Sequence, residues 1–238
     1  SSFKKCFKSI FSWHNETSNI WTHLLGFILF FFLLILFFLF LLPPILATWQ
    51  DRVVFGFFLA GAFLCLLLSS IYHTFSCHSE KHSEFFLKLD YLGISLLIVA
   101  SFIPIIYYAF YCHPFFRTLY ISIILVLGLI AIYVSLSDKF VSPKFRPLRA
   151  GFFVLLGCSG VIPLLHALIL FGGHENLVRI ALPWVLLMAV LYIVGAVFYG
   201  TRIPERFFPG KFDIWGHSHQ LFHLLVVLAA FYHYRAGL

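Results

Sequence analysis

The chain has 238 residues, of which 62% are hydrophobic and 11% are charged. Because soluble domains carry about 25% charged residues, this composition, with a mean hydropathy of +0.99, excludes an ordinary soluble globular domain. The net charge of +7 comes from short basic stretches between long apolar runs, which is typical of membrane topology and not of nucleic-acid binding.

Apolar and basic residues alternate with a helical period at the start of the chain. The apolar positions are Phe3, Phe7, Ile10 and Phe11, and the basic positions are Lys4, Lys5 and Lys8. This pattern predicts a short amphipathic helix on the cytosolic membrane surface. We therefore assign residues 1–21 to a cytosolic amphipathic segment that precedes the main domain.

Seven apolar runs follow in residues 22–238, each close to the roughly 20 residues that cross a bilayer. They are Thr22–Leu42, Val53–Phe75, Leu89–Tyr111, Leu119–Ser135, Ala150–Phe171, Leu182–Tyr199 and Ile214–Tyr234. The sequence therefore predicts an all-α membrane protein, with seven transmembrane helices in one domain. We expect most of the phenylalanines in the first run to face lipid.

The basic residues predict the orientation of these spans. With seven spans, only Arg52, Arg117, Arg179 and Arg235 fall on one side, and the other 12 of the 16 basic residues fall on the opposite side. Basic residues collect on the cytosolic side of membrane proteins. We therefore expect a multi-pass plasma-membrane protein with a cytosolic N-terminus and an extracellular C-terminus.

Polar residues at the cytosolic ends of three predicted spans form a candidate metal site. His219 and His223 are four residues apart and so share one helix face. His73 and Asp90 lie at the same predicted depth, and Ser69 lies one turn before His73. Three histidines with an open fourth position are typical of catalytic zinc, whereas structural zinc is closed by four protein ligands. Asp90 is a candidate to bind metal, hold water or orient a histidine.

Other interpretations of the ionisable residues remain open. A histidine inside a span is often only a hydrogen-bonding residue, and Asp90 alone could pair with a nearby lysine. His78 and His82 are also four apart, but their charged surroundings favour a solvated loop. His217 lies on a different helix face from His219. We interpret Asp213 as the N-cap of the seventh span.

Several stretches resemble the progestin and adipoQ receptor family, and within it the adiponectin receptors. They are Ser2–Ile10, His14–Gly26, Tyr72–Lys81, Lys88–Tyr91 and Arg202–Trp215, with Ser218–Gln220 and His223. The resemblance runs nearly end to end, and the stretch Arg-Ile-Pro-Glu-Arg-Phe-Phe-Pro-Gly-Lys-Phe-Asp-Ile-Trp is the most specific. One departure is Gly216-His217, where bulkier or amide residues are expected.

The resemblance implies seven helices with a cytosolic N-terminus and a zinc ion held by His73, His219 and His223, with Asp90 close by. It also links the chain to a superfamily of membrane hydrolases that includes alkaline ceramidases, whose motifs match Ser69 as well. A ceramide-like lipid substrate or a fatty acid, and an extracellular protein ligand of the adiponectin type, are the partners it implies. No nucleic acid is expected.

These observations favour a receptor with a zinc site near the cytosolic leaflet and lipid-amide hydrolysis, in which Asp90 and Ser69 are catalytic. A non-enzymatic receptor with a structural zinc is the alternative, so the sequence leaves the enzymatic activity open. A channel or transporter is less favoured, because few ionisable residues line the spans. An extracellular ligand would meet only the short outer connections Pro43–Arg52, Cys112–Thr118 and Gly172–Ala181, plus the C-terminal end.

Overall fold

The computed structural model describes residues 2–41, 48–138, 142–172 and 181–237. Within these ranges the regular structure is helical and contains no β-strand, as the sequence predicts. The α-helices in chain order are α1 (Phe3–Ser9), α2 (Thr17–Leu36), α3 (Trp49–Phe75), α4 (Glu80–Ala109), α5 (Pro114–Leu136), α6 (Arg146–Cys158), α7 (Val161–Phe171), α8 (Leu182–Thr201) and α9 (Ser218–Ala236). A π-helical turn, Phe37–Leu41, extends α2. The predicted outer connections Pro43–Arg52 and Gly172–Ala181 lie partly outside the described residues.

Six segments of the described chain are long and apolar enough to cross a membrane. They are Thr17–Phe40, Trp49–Phe75, Glu80–Ala109, Pro114–Leu136, Pro147–Phe171 and Leu182–Thr201. Six of the seven predicted spans are therefore confirmed by length and composition. The seventh corresponds to α9, whose 19 residues extend roughly 28 Å. Three histidines, a glutamine and an arginine make α9 more polar, and its membrane crossing stays a prediction.

The fifth predicted span, Ala150–Phe171, is interrupted near its centre. Its residues form α6 and α7, which meet at Ser159 and Gly160. The ring of Phe102 in α4 packs so closely against Gly160 that a Cβ at this position would collide with it. A tertiary contact therefore shapes a junction that hydropathy alone does not predict.

The last helix begins later than the sequence predicts. The expected start was Ile214 with Asp213 as N-cap, but α9 begins at Ser218 and its N-cap is His217. Gly216 immediately precedes the cap in the left-handed region, with φ of 75°, a conformation that glycine adopts without steric cost. The N-cap assignment of Asp213 is therefore wrong, because the chain is still turning at that point.

The first turns of α2, α4 and α9 and the last turn of α3 lie at one end of the helix bundle, which we call the basic end. Glu16, the N-cap of α2, contacts His73 at the end of α3, and His73 contacts His219 at the start of α9. Lys88 in α4 forms an ion pair with Asp138 beyond α5. We expect this end to face the cytosol on the evidence of the basic residues.

Close packing of α3 against α4 fixes the relative positions of the polar residues near the basic end. A Cβ added to Gly93 in α4 would lie 2.9 Å from the Cα of Cys65 in α3. Small residues allow helix backbones to approach in this way in membrane proteins. Gly93 follows Asp90 by one turn, and Cys65 precedes Ser69 by one turn. The contact therefore holds Asp90 opposite Ser69.

The phenylalanine-rich start of the bundle is divided between its core and its surface. Phe31, Phe32 and Phe38 are exposed, as expected for side chains that face lipid, but Phe30 and Phe37 are buried. The two buried rings belong to a core formed mainly by α2, α3, α4 and α9. The expectation of lipid-facing bulk is therefore wrong for these two residues, because they lie on the face of α2 and its π-helical extension that packs against α3.

Candidate metal centre

Three imidazoles from two helices meet at the basic end. His219 and His223 lie in the first two turns of α9 and His73 in the last turn of α3. One ring nitrogen of each residue lies within 4.8 Å of the other two, and the Nε2 atoms of His73 and His219 are 3.2 Å apart. His73 and His223 are buried and His219 is half-buried. The cluster can therefore hold a metal ion.

The hydrogen bonds behind the cluster direct two of the rings toward a common centre. Nδ1 of His73 lies 2.7 Å from Oε2 of Glu16, and Nδ1 of His223 lies 3.2 Å from the carbonyl oxygen of Asn19. Because both oxygens accept hydrogen bonds, each Nδ1 carries the proton and each Nε2 retains a lone pair. Tetrahedral zinc with Zn–N bonds of about 2.0–2.1 Å separates its nitrogens by roughly 3.3–3.4 Å. The observed 3.2 Å between the His73 and His219 Nε2 atoms is close to this spacing for one pair of the three ligands.

Asp90 and Ser69 form a buried polar pair beside the histidines. The two residues are 6% and 2% exposed, and the Ser69 hydroxyl lies close enough to the Asp90 carboxylate to interact with it. Asp90 is also close enough to His73 for their charges to interact. The two residues thus lie side by side at the cluster.

The first turns of α2 contribute three residues that sequence reasoning did not assign to the site. Glu16 and Asn19 accept the hydrogen bonds from the histidines, and the His23 ring stacks on the His223 ring with centroids 3.7 Å apart. Burial raises the pKa of Glu16, but the hydrogen bond and the charge of His73, with a hydrogen bond from Asn19, lower it to about 2. The three residues are spaced by three and four positions, which places them on one helix face. This spacing is the sequence feature that could have identified them.

The cluster lies where two cavities meet. An outer cavity of about 480 Å³ extends toward Arg202 and His217 at the basic end. An inner cavity of about 230 Å³ extends between α4, α6, α7, α8 and α9 and is lined mainly by apolar side chains. Asp90, Tyr91 and His219 line both cavities. The site is therefore open to a polar space on one side and to an apolar space on the other.

The other candidate histidines have different contacts. The rings of His78 and His82 pack against Phe3 of α1, and Nε2 of His217 lies 3.3 Å from the Asn15 carbonyl oxygen. In the described part of the chain, the metal-compatible group of three or more His, Cys, Asp or Glu side chains is His73, His219 and His223. The structure thus brings together the histidines that their depth and spacing selected.

A carboxylate from the preceding loop caps the helix that carries two of the histidines. Glu205 accepts hydrogen bonds from the Ser218 backbone N–H at 2.8 Å and from its hydroxyl at 2.5 Å. Burial raises the pKa of Glu205, but these hydrogen bonds outweigh it and hold the pKa below its usual range. A negative charge at a helix N-terminus is also stabilised by the helix dipole. Glu205 thereby fixes the residue that precedes His219.

Known proteins resemble this chain over nearly its whole length. A family profile described as haemolysin-III related matches residues 11–234. The chain is 52% identical to "Adiponectin receptor protein" of Drosophila melanogaster over 233 residues, covering 98% of this chain and 52% of that protein. It is 57% identical to "Progestin and adipoQ receptor-like protein 1" of Caenorhabditis elegans, covering 98% and 53%. It is 47% identical to "ADIPOR-like receptor IZH2" of Saccharomyces cerevisiae (strain ATCC 204508 / S288c), covering 99% and 74%.

The helical bundle with six membrane-compatible segments and a buried histidine cluster defines a multi-pass membrane protein. With the matches above, the chain belongs to the haemolysin-III related family and, within it, to the progestin and adipoQ receptor family. It spans about half the length of the Drosophila and Caenorhabditis relatives.

Proposed function

We propose that this protein is a receptor of the adiponectin-receptor type with zinc-dependent hydrolase activity toward a lipid amide such as ceramide. The observation that carries the proposal is the convergence of three imidazoles and a buried carboxylate where a polar and an apolar cavity meet. The names of the relatives support the receptor part. The chemistry of the site supports the hydrolase part.

His73, His219 and His223 would hold the zinc ion through their Nε2 atoms. When bound, zinc would supply a Lewis acid that activates water at neutral pH. Catalytic zinc sites use three protein ligands and leave a fourth position open. Asp90 lies beside this set without belonging to the three-residue group, which leaves it available for proton transfer.

Asp90 is the proposed proton carrier. A buried carboxylate near the reacting atoms would take a proton from the attacking water and deliver it to the amine nitrogen as the amide bond breaks. Ser69 lies beside this carboxylate, and its single O–H is the proposed donor to the oxygen of the substrate carbonyl, where negative charge develops.

The two cavities suit the two parts of a ceramide-like molecule. The inner cavity, with Leu97, Ile98 and Phe102 among its apolar residues, would accept an acyl chain that arrives from the bilayer. The outer cavity, which contains Arg202 and Glu205, would connect the site with water. The products would be a fatty acid and a free amine. An adiponectin-type protein ligand would bind the outer connections that the sequence predicts.

Fatty-acid release from ceramide by purified protein in lipid nanodiscs tests the hydrolase proposal. We expect release that stops when zinc is removed with a chelator and returns when zinc is added back. His219→Ala should abolish both zinc binding and release, and His113→Ala, a histidine between α4 and α5 that packs against Phe171, is the matched control. Release that continues after complete zinc removal would contradict the proposal.

A receptor with a purely structural zinc is the second candidate. Contacts around the cluster already join the start of α2, the end of α3 and the start of α9, and one ion would strengthen this junction. Zinc that is retained with no hydrolysis in the nanodisc assay, together with a large fall in melting temperature after chelation, would favour this candidate.

A further inference from the structure

The start of α2 lies directly behind the histidine cluster. Oε2 of Glu16 is 2.7 Å from Nδ1 of His73, and the Asn19 carbonyl oxygen is 3.2 Å from Nδ1 of His223. The Glu16 carboxylate is itself held by the Asn19 side chain, whose Nδ2 donates to the same Oε2 at 2.7 Å. Asn19 is fully buried. The α2 start thus contacts one histidine of α3 and one of α9.

From these contacts we infer that Glu16 is a positioning residue for the metal centre: its carboxylate fixes the tautomer and the ring orientation of His73. The inference rests on the proposed zinc site. A carboxylate that accepts the Nδ1 proton leaves the Nε2 lone pair on the opposite side of the ring, and Nε2 of His73 faces Nε2 of His219 at 3.2 Å. The negative charge also makes the imidazole a stronger ligand.

The carboxylate has a distinct role from the carbonyl behind His223. A neutral carbonyl oxygen directs a ring, whereas a carboxylate both directs it and stabilises positive charge that develops on it when a cation binds. His73 is also the histidine contributed by α3, which is separate in sequence from the pair on α9. The spacing of His219 and His223 places those two rings on one face of α9 but does not orient His73. Glu16 therefore aligns the His73 ring.

The inference has a consequence for the arrangement of the segments. Glu16 immediately precedes α2 and follows α1, and its backbone N–H donates a hydrogen bond to the Nδ1 of His14 between them. His14 in turn contacts the Ser9 carbonyl oxygen at the end of α1. A continuous chain of contacts thus leads from α1 to His73, so a displacement of α1 would reach the metal centre through Glu16.

Glu16→Gln is the decisive variant because it preserves shape and a hydrogen-bond acceptor but removes the charge. We expect its zinc affinity, measured by competition with a chelator in nanodiscs, to fall about 10–100-fold, with one zinc per chain still bound at saturation. The visible absorption spectrum of the cobalt(II)-substituted protein should shift, since it reports ligand geometry. Glu80→Gln, which removes an exposed carboxylate from the start of α4, should leave affinity and spectrum unchanged.

The melting temperature of the metal-depleted protein separates positioning from a general structural role. Positioning predicts the same melting temperature for Glu16→Gln and the parent after zinc removal, with different zinc affinities. If Glu16→Gln does not fold, Glu16→Asp decides: an affinity between those of parent and His73→Ala supports the inference, and parental affinity overturns it. Equal zinc affinities of the parent and Glu16→Gln would overturn this inference but not the proposed function. Absence of zinc binding by the parent would overturn the proposed function as well.

Discussion

Replacing Asp90 with asparagine separates proton transfer from metal binding. Asparagine has nearly the same shape, but it cannot carry a proton at neutral pH. A positioned acid or base contributes about 10²–10⁴ in rate. Because Asp90 would both take the proton from water and deliver it to the amine, we expect a loss near the upper end of this range, about 10³–10⁴. This loss corresponds to about 4–5.5 kcal/mol in the activation free energy.

The assay is the initial rate of fatty-acid release from ceramide in nanodiscs, with zinc content measured on the same samples. Asp90→Asn should keep the zinc content of the parent, because the three histidines are unchanged. Asp138→Asn is the matched control, since this carboxylate is exposed and pairs with Lys88 away from the histidine cluster, and it should hydrolyse at the parental rate. An Asp90→Asn rate within tenfold of the parent, with zinc retained, would refute the role assigned to Asp90.

Three further predictions concern packing, pH and topology. Gly93→Ala should lower the melting temperature by an amount equivalent to about 1–3 kcal/mol, because its Cβ would lie 2.9 Å from the Cα of Cys65. Gly151→Ala, whose Cβ meets nothing within 4 Å, should leave the melting temperature unchanged. Equal melting temperatures of the two variants would contradict the packing argument. Glu205→Gln should lower the melting temperature at pH 7. Because the native pKa of Glu205 is lowered, its ionised form contributes stability above the ordinary glutamate pKa, and this contribution disappears as the pH falls through the lowered value. A difference in melting temperature between Glu205→Gln and the parent that stays constant with pH would contradict this prediction. An N-terminal epitope tag should be detected only in permeabilised cells and a C-terminal tag on intact cells. The reverse pattern would show that the orientation predicted from the basic residues is wrong.

Local patterns were sufficient for part of the site. The spacing of His219 and His223 predicts a shared helix face, and the predicted span ends bring His73 to the same depth. Both inferences use only helix geometry and bilayer thickness, which is why they can be made from the sequence. The structure places these three residues in one cluster.

Other features depend on contacts between distant segments. Glu16 and His73 are 57 residues apart, and in the sequence Glu16 belongs to a polar stretch that predicts only the beginning of a helix. The division between α6 and α7 depends on the ring of Phe102 against Gly160. The late start of α9 depends on the positive φ of Gly216 and on the cap from Glu205. No periodicity in the sequence reports such tertiary contacts.

The zinc content of protein purified without added metal tests the central claim most directly. The account predicts close to one zinc per chain in the parent, close to none in His219→Ala, and the parental amount in His113→Ala. Elemental analysis of the three proteins, prepared in parallel from the same lipid, provides the comparison. A parent with almost no zinc, or a His219→Ala variant with as much zinc as the parent, would contradict the claim that His73, His219 and His223 form a zinc site.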